Sequence, residues 1–169
     1  CQAIQPIGIA NDGAPAVTVN SSTNPTCGNA NGNITVSASG GTGALTFTWS
    51  HDGLLTTGNA TNLTAGNYFV TVTDANNCID VEAITITNIP GPTIQVTGIT
   101  PANCGLATGS ISTTPTGGTA PLSYSWSQNA GLNSPNATGL APGTYTVTVT
   151  DSNNCFATIS ATVVATAIP

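Results

Sequence analysis

The 169-residue chain has no lysine and no arginine. Six acidic residues and a single histidine leave a formal net charge of −6 at pH 7. A basic stripe is the electrostatic footprint of nucleic-acid binding, and this chain cannot build one. Attraction to anionic lipid headgroups is disfavoured on the same ground. Trypsin-like proteases find no site. No lysine amine exists for an isopeptide staple, so covalent cross-linking falls to cysteine. Charged residues make up 4% of the chain, against about a quarter in ordinary globular proteins. Thr, Ser, Asn and Gly take over the surface role, which suits a packed, glycosylated or fibrous extracellular protein. No apolar run approaches the roughly 20 residues of a membrane span. No signal peptide precedes Cys1 and the chain does not open on Met, so a mature form or an excised segment is expected.

Other scarcities narrow the chemistry. His51 is the only imidazole, it sits in a His-Asp-Gly turn, and its counterpart in the second repeat is Gln128. A Ser–His–Asp site needs a held nucleophile and an orienting acid. Nothing in the sequence supplies them, so no enzyme activity is expected. No CxxC occurs, and the cysteine spacings suit disulfides better than zinc. Asp74-Ala-Asn-Asn and Asp151-Ser-Asn-Asn hold one carboxylate each, too few for a tight calcium site. They read as turns in which Asp caps backbone amides. No metal and no cofactor is expected. Only eight aromatic residues are present, few for a glycan-binding platform.

What the chain does have is a clock. Cys1, Cys78 and Cys155 are 77 residues apart, as are Cys27 and Cys104, and Pro15, Pro92 and Pro169. Cys27 to Cys78 matches Cys104 to Cys155 at 26 of 52 aligned positions. A fixed period of this kind defines a tandem array. Short β-branched and aromatic runs alternate with period two between Gly, Pro and Asn. The first set is Ala16–Val19, Ile34–Ser39, Leu45–Ser50, Thr61–Leu63, Tyr68–Asp74 and Val81–Thr87. The second is Thr93–Val96, Ile111–Thr114, Leu122–Ser127, Thr138–Leu140, Tyr145–Asp151 and Thr158–Val164. No segment of helical period stands out. Six or seven short strands in each 77-residue repeat predict an all-β chain of two tandem immunoglobulin-like β-sandwich modules, at 16–91 and 92–169, with an extra N-terminal strand segment at 1–15.

Core positions follow from the alternation. Trp49, Tyr68, Val70 and Val72, with their copies Trp126, Tyr145, Val147 and Val149, are assigned to the interior. The tryptophans are expected beside a disulfide. Gly66-Asn67-Tyr68 and Gly143-Thr144-Tyr145 precede the long strand where a tyrosine corner would sit. Phe69 points outward with Thr71 and Thr73, whereas the second repeat has only Thr146, Thr148 and Thr150 there. Phe69 is therefore a candidate intersubunit contact. Equal spacing favours disulfides Cys27–Cys78 and Cys104–Cys155, although sequence alone does not fix connectivity. Each would close a loop of about 50 residues, worth roughly 4 kcal/mol.

The succession C-G-x-A-x-G-x-I, G-G-T, L-x-F/Y-x-W-S and L-x-x-G-x-Y-x-V-T-V-T-D-x-N-N-C resembles the SprB repeat of large secreted adhesins and surface proteins of the Bacteroidota. The resemblance covers Cys27–Cys78 and Cys104–Cys155 with their trailing strands. It implies an immunoglobulin-like sandwich, export, and a part in surface adhesion or gliding. It brings no catalytic residues. With two complete units, a gliding role does not fit.

Cys1-Gln-Ala-Ile-Gln-Pro-Ile-Gly-Ile aligns with Cys78-Ile-Asp-Val-Glu-Ala-Ile-Thr-Ile. The segment thus matches the closing strand of a module. It could be the remnant of a preceding repeat, or carry a lipidated Cys1. The third option is a strand added to a neighbouring copy, using Cys1, Ile7 and Ile9. The third is favoured, because a lone strand frays unless something ties it down. Head-to-tail contacts that do not close make an open filament. Sequons N-x-S/T at Asn20, Asn33, Asn59, Asn62 and Asn136 are candidate glycan attachment points, with Asn59 and Asn136 equivalent in the two repeats. The sequence therefore points to a self-assembling, glycosylated structural subunit of an extracellular filament or surface appendage. The alternative is a glycan-binding or adhesive module of a longer secreted adhesin.

Overall fold

The computed structural model describes residues 13–104, 106–129 and 131–166. Strands dominate them, and no helix occurs among the described residues. Two compact units are present. Unit 1 comprises residues 13–25 and Asn29–Asn88; unit 2 comprises Thr26–Gly28 and residues 89–166. The N-terminal segment holding Cys1, Ile7 and Ile9 lies outside the described residues.

Unit 1 contains β1 (Pro15–Thr23), β2 (Gly32–Gly40), β3 (Thr46–Trp49), β4 (Asn59–Leu63), β5 (Gly66–Thr73) and β6 (Ile79–Ile86). They form two three-stranded antiparallel sheets, β1-β2-β4 and β3-β5-β6. Unit 2 repeats the plan with β7 (Pro92–Thr100), β9 (Gly109–Gly117), β10 (Ser123–Trp126), β11 (Asn136–Leu140), β12 (Gly143–Thr150) and β13 (Phe156–Val163). Its sheets are β11-β9-β7 and β10-β12-β13. Unit 2 adds a short parallel pair, β8 (Ala102–Asn103) with β14 (Ala165–Thr166). The arrangement is immunoglobulin-like.

Strict alternation places one face of each strand in the sandwich. Along β5 the burial alternates so that Tyr68, Val70 and Val72 are inside and Phe69 is outside. β12 does the same with Tyr145, Val147 and Val149. Trp49 and Trp126 are 1% and 2% exposed. Each indole Nε1–H donates to a carbonyl eight residues on, Thr57 at 2.8 Å and Ser134 at 2.9 Å, so neither buries an unsatisfied polar atom. Ile34, Leu63 and Ile86 complete one core, and Ile94, Ile111 and Val163 the other.

The tyrosine corner is present twice. Tyr68 Oη donates to Thr64 O at 2.7 Å, and Tyr145 Oη donates to Ala141 O at 2.9 Å. Each fixes the crossover that feeds the long strand. Asn62 and Gly139 occupy matching positions with φ of 58° and 68°. Both sit where the pairing register slips by one residue. A left-handed backbone is required there, and Gly and Asn tolerate it best.

Candidate functional site: cysteine stations and outer sheet faces

Each long strand ends in a turn built around a buried aspartate. Asp74 Oδ1 accepts from Asn76 N at 2.9 Å and Cys78 N at 2.8 Å, while Oδ2 accepts from Thr42 N at 2.9 Å. Asp151 does the same with Asn153 N, Cys155 N and Thr119 N, all at 2.9 Å. The Thr42 amide leads in holding the Asp74 carboxyl below the usual carboxylate range; burial opposes it, and the Cys78 and Asn76 amides add to it. Asp151 is lowered in the same way, led by the Thr119 amide. The carboxylates are spent on backbone amides, as expected of an Asx turn. Among the described residues no group of three or more His, Cys, Asp or Glu side chains could hold a metal ion.

These turns set the cysteines. Cys78 lies between β5 and β6, and Cys155 between β12 and β13. In each turn the aspartate amide also donates back to the cysteine carbonyl, Asp74 N to Cys78 O at 3.0 Å and Asp151 N to Cys155 O at 2.9 Å. Asn77 and Asn154, just before the cysteines, both have φ of 62°. Cys78 and Cys155 therefore occupy the same station. Cys27 and Cys104 occupy another, with φ of 58° and 42°. Each follows a residue in a parallel pairing, Thr26 with Ile89 and Asn103 with Thr166.

The disulfide joins Cys27 to Cys155, with Cα atoms 5.4 Å apart, and Cys78 and Cys104 are free and exposed. The expected pairs Cys27–Cys78 and Cys104–Cys155 are thus not formed, and neither core cluster includes a cysteine for Trp49 or Trp126 to pack on. The reason is local. None of the four cysteines lies on a strand, so none projects between the sheets. Cys27 is instead held in unit 2, where its amide donates to Ile89 O at 3.0 Å. Gly91 lies against the bond: a Cβ there would stand 2.7 Å from Cys155 Cβ.

The outer faces of the two β5-type sheets differ. In unit 1, Phe69 faces Ala83, Thr71 faces Val81 and Thr73 faces Ile79. Phe69, Val81 and Ile79 are 48%, 49% and 59% exposed. Phe69 is outward as expected, and Ile79 and Val81 extend it into an apolar strip. The sequence signal for these two was available in β6, where Ile79, Val81 and Ala83 alternate with Asp80 and Glu82. In unit 2 the same face is mostly a grid of hydroxyls, with Phe156, 70% exposed, opposite Thr150 at its end. Thr146 Oγ1 meets Ser160 Oγ at 2.7 Å, and Thr144 Oγ1 meets Thr162 Oγ1 at 3.0 Å.

His51 packs edge-on against Tyr68, with ring centroids 5.1 Å apart, and against Trp49 at 5.9 Å. It covers the ring of the tyrosine corner. A cleft of about 240 Å³ in unit 2 is lined by Trp126, Gln128, Asn129, Leu132 and Tyr145. It is smaller than the roughly 300 to 1,000 Å³ of ordinary ligand pockets. Among the sequons, Asn20, Asn59, Asn62 and Asn136 are exposed and Asn33 is half-buried. Asn20 Oδ1 accepts from Ser37 Oγ at 3.0 Å, and Asn136 Oδ1 accepts from Thr113 N at 3.2 Å.

No curated protein matches the chain. Among solved structures it is similar to the N-terminal four Ig domains of Dscam1 isoform 9.44, at 13% identity and a TM-score of 0.41, covering 91% of this chain and 46% of that one. A C-terminal 282-residue fragment of intimin in complex with the translocated intimin receptor's intimin-binding domain matches at 18% identity and TM-score 0.44, covering 87% of this chain and 64% of that one. The first two Ig domains of DIP-gamma match at 12% identity and TM-score 0.44, covering 93% and 100%. The chain spans about half the length of the Dscam1 fragment. A family model described as SprB repeat matches residues 19–53 and 96–131. Those two segments start 77 residues apart, in step with the cysteines, and each is similar to the SprB repeat.

Proposed function

We propose that this chain is a non-enzymatic structural subunit of an extracellular filament or surface appendage. Copies add head-to-tail through the N-terminal segment, with Cys1, Ile7 and Ile9 in the joint, and Asn-linked glycans cover the nearly uncharged surface. SprB repeats occur in surface-associated proteins, and an adhesin-type module is the broader class to which this reading belongs. The observation that supports serial assembly is that unit 2 incorporates Thr26–Gly28, a piece of the preceding sequence repeat. A unit that takes part of its predecessor is suited to growth in one direction. Phe69, Ile79 and Val81 offer an apolar strip for a second copy. The buried tryptophans weigh against a glycan-binding platform, since stacking on a sugar needs exposed rings. The test is electron microscopy of native material beside a variant lacking residues 1–12. Filaments that vanish on truncation are expected; a homogeneous monomer at high concentration overturns the reading. Intact mass equal to that of the bare polypeptide would exclude the glycans.

A further inference from the structure

We infer that Leu54 of one copy seats in the unit 2 cleft of another copy, a contact apart from the N-terminal joint. The inference adds to the filament reading and stands if that joint fails. Leu54 is 90% exposed, more than any other large apolar side chain among the described residues. Its own turn holds it out. Asp52 Oδ1 accepts from Leu54 N at 2.9 Å, and Leu55 N donates to Asp52 O at 3.1 Å. Leu55 packs against the unit 1 core while Leu54 stays in solvent. Phe69, Ile79, Val81 and Phe156 are exposed too, but they belong to strands, whose neighbours limit how far each can enter a recess. Gly131 stands at the matching position of the second repeat, so unit 2 has no such knob.

Two of the residues lining the cleft are places where unit 2 departs from unit 1. Gln128 replaces His51, whose ring lies against Tyr68 and Trp49, and its amide turns instead to Thr144 O at 3.0 Å. Gly139 replaces Asn62 and contributes no side chain. The apolar lining comes from Trp126, Leu132, Ala137 and Tyr145. A cleft of about 240 Å³ is too small for an ordinary ligand. An apolar lining of that size suits one branched aliphatic side chain.

Charge selects the partner. Among the described residues, Asp52, Asp74, Asp80 and Glu82 fall in unit 1 and Asp151 alone in unit 2. Backbone amides take up Asp151, and the cleft lining holds no charged residue. A unit 1 turn meeting the same turn of another copy would set Asp52 against Asp52. Meeting the unit 2 cleft, it sets Asp52 beside the neutral amides of Gln128 and Asn129. The contact is therefore heterologous, knob to cleft, and suits serial assembly. One leucine seat buries far less than the roughly 1,000 Å² of a stable interface. It is weak alone, and it sets the register where copies are already held close.

Normal and heavy-isotope full-length chains, both carrying photo-leucine, are mixed in equal parts at high concentration, irradiated and cleaved with chymotrypsin. Cross-links from Leu54 to a cleft peptide that join one normal to one heavy chain are expected. Cross-links from Leu54 to the cleft within one chain only, or to other surfaces only, overturn the inference. Leu54→Ser should weaken self-association in sedimentation about 10-fold or more, the worth of one buried leucine. The double variant Gln128→His, Gly139→Asn should do the same. It carries the residues unit 1 holds there, and Asn62 at φ of 58° matches Gly139 at 68°, so the fold is kept. Mixing the two variants should restore a pair that goes no further through this contact, because one keeps the cleft and the other the knob. Association unchanged in both variants, or not restored on mixing, overturns the inference. Electron microscopy of the parent separates the two ideas. Filaments without the mixed-isotope cross-link would sink the seat and leave the filament. The cross-link without filaments would do the reverse.

Discussion

Replacing the four cysteines with serine, one at a time, discriminates between the observed connectivity and the within-repeat pairing. The Cys27–Cys155 bond spans a sequence separation of 128. In the chain-entropy account, tying that loop costs the unfolded chain roughly 5 kcal/mol. If unit 2 unfolds while unit 1 stays folded, the open loop is shorter and the value falls to about 4 kcal/mol. For a unit of this size each kcal/mol moves the unfolding midpoint by about 4 to 8 °C. Cys27→Ser and Cys155→Ser should therefore lower the midpoint of unit 2 by more than about 10 °C. Cys78→Ser and Cys104→Ser alter exposed side chains without a bond, and should stay within about 0.5 kcal/mol of the parent. Within-repeat bonds would instead make all four substitutions cost about 4 kcal/mol. Heating dilute protein while following tryptophan fluorescence is sufficient, because each unit contains one buried indole. A Cys78→Ser midpoint as low as that of Cys155→Ser would refute the assignment.

Tyr68→Phe and Tyr145→Phe each remove the hydroxyl that satisfies a crossover carbonyl, and should each cost about 1 to 2 kcal/mol in denaturant titrations. Trp126→Ala should cost about 3 to 5 kcal/mol and empty much of the unit 2 core, measured the same way. Asp74 and Asp151 have lowered carboxyl pKa values in the folded chain. Their stabilisation is therefore complete above the unfolded value, near about 3.9, and is lost as the pH falls through the folded one. The double variant Asp74→Asn, Asp151→Asn should show a flatter stability profile below about pH 4, read by acid titration of the fluorescence. Phe69→Thr copies the unit 2 face into unit 1 and should change stability by less than about 0.5 kcal/mol, while sedimentation shows weaker self-association.

Strand content, the buried faces and the tyrosine corners were legible because period-two alternation and Gly-x-Tyr crossovers are local signals. Tyr68, Val70, Val72 and their copies are inside as read, and Phe69 is outside. The disulfide was not legible, and the repeat itself is the cause. Cys78 and Cys155 are the same position one period apart, so any spacing argument that reaches one reaches the other. The deciding contact, Thr26 pairing with Ile89, joins residues with no period-two pattern of their own. The short β8–β14 pair escaped notice for the same reason. A usable hint lay in the positions of the cysteines. All four fall in turns, whereas a bond through the core needs mid-strand residues facing inward. The apolar strip is only half legible, because Phe69 stands alone on its strand, Val81 reads only as the start of the expected strand Val81–Thr87, and Ile79 lies outside that range.

The covalent link also decides where tension travels. A pull on the two ends of the chain reaches Cys27 from one side and Cys155 from the other, then crosses directly through sulfur. The residues between them, which include both tryptophans and both tyrosine corners, carry none of that load. Stretched out they would amount to roughly 400 Å of hidden contour. Of the described strands, β1, β13 and β14 lie outside the closed loop, and they alone can be peeled by force while the bond holds. Reduction returns the residues between the two cysteines to the path of the force, so their length becomes available as the units unfold, and the same chain extends little when oxidised and much further when reduced.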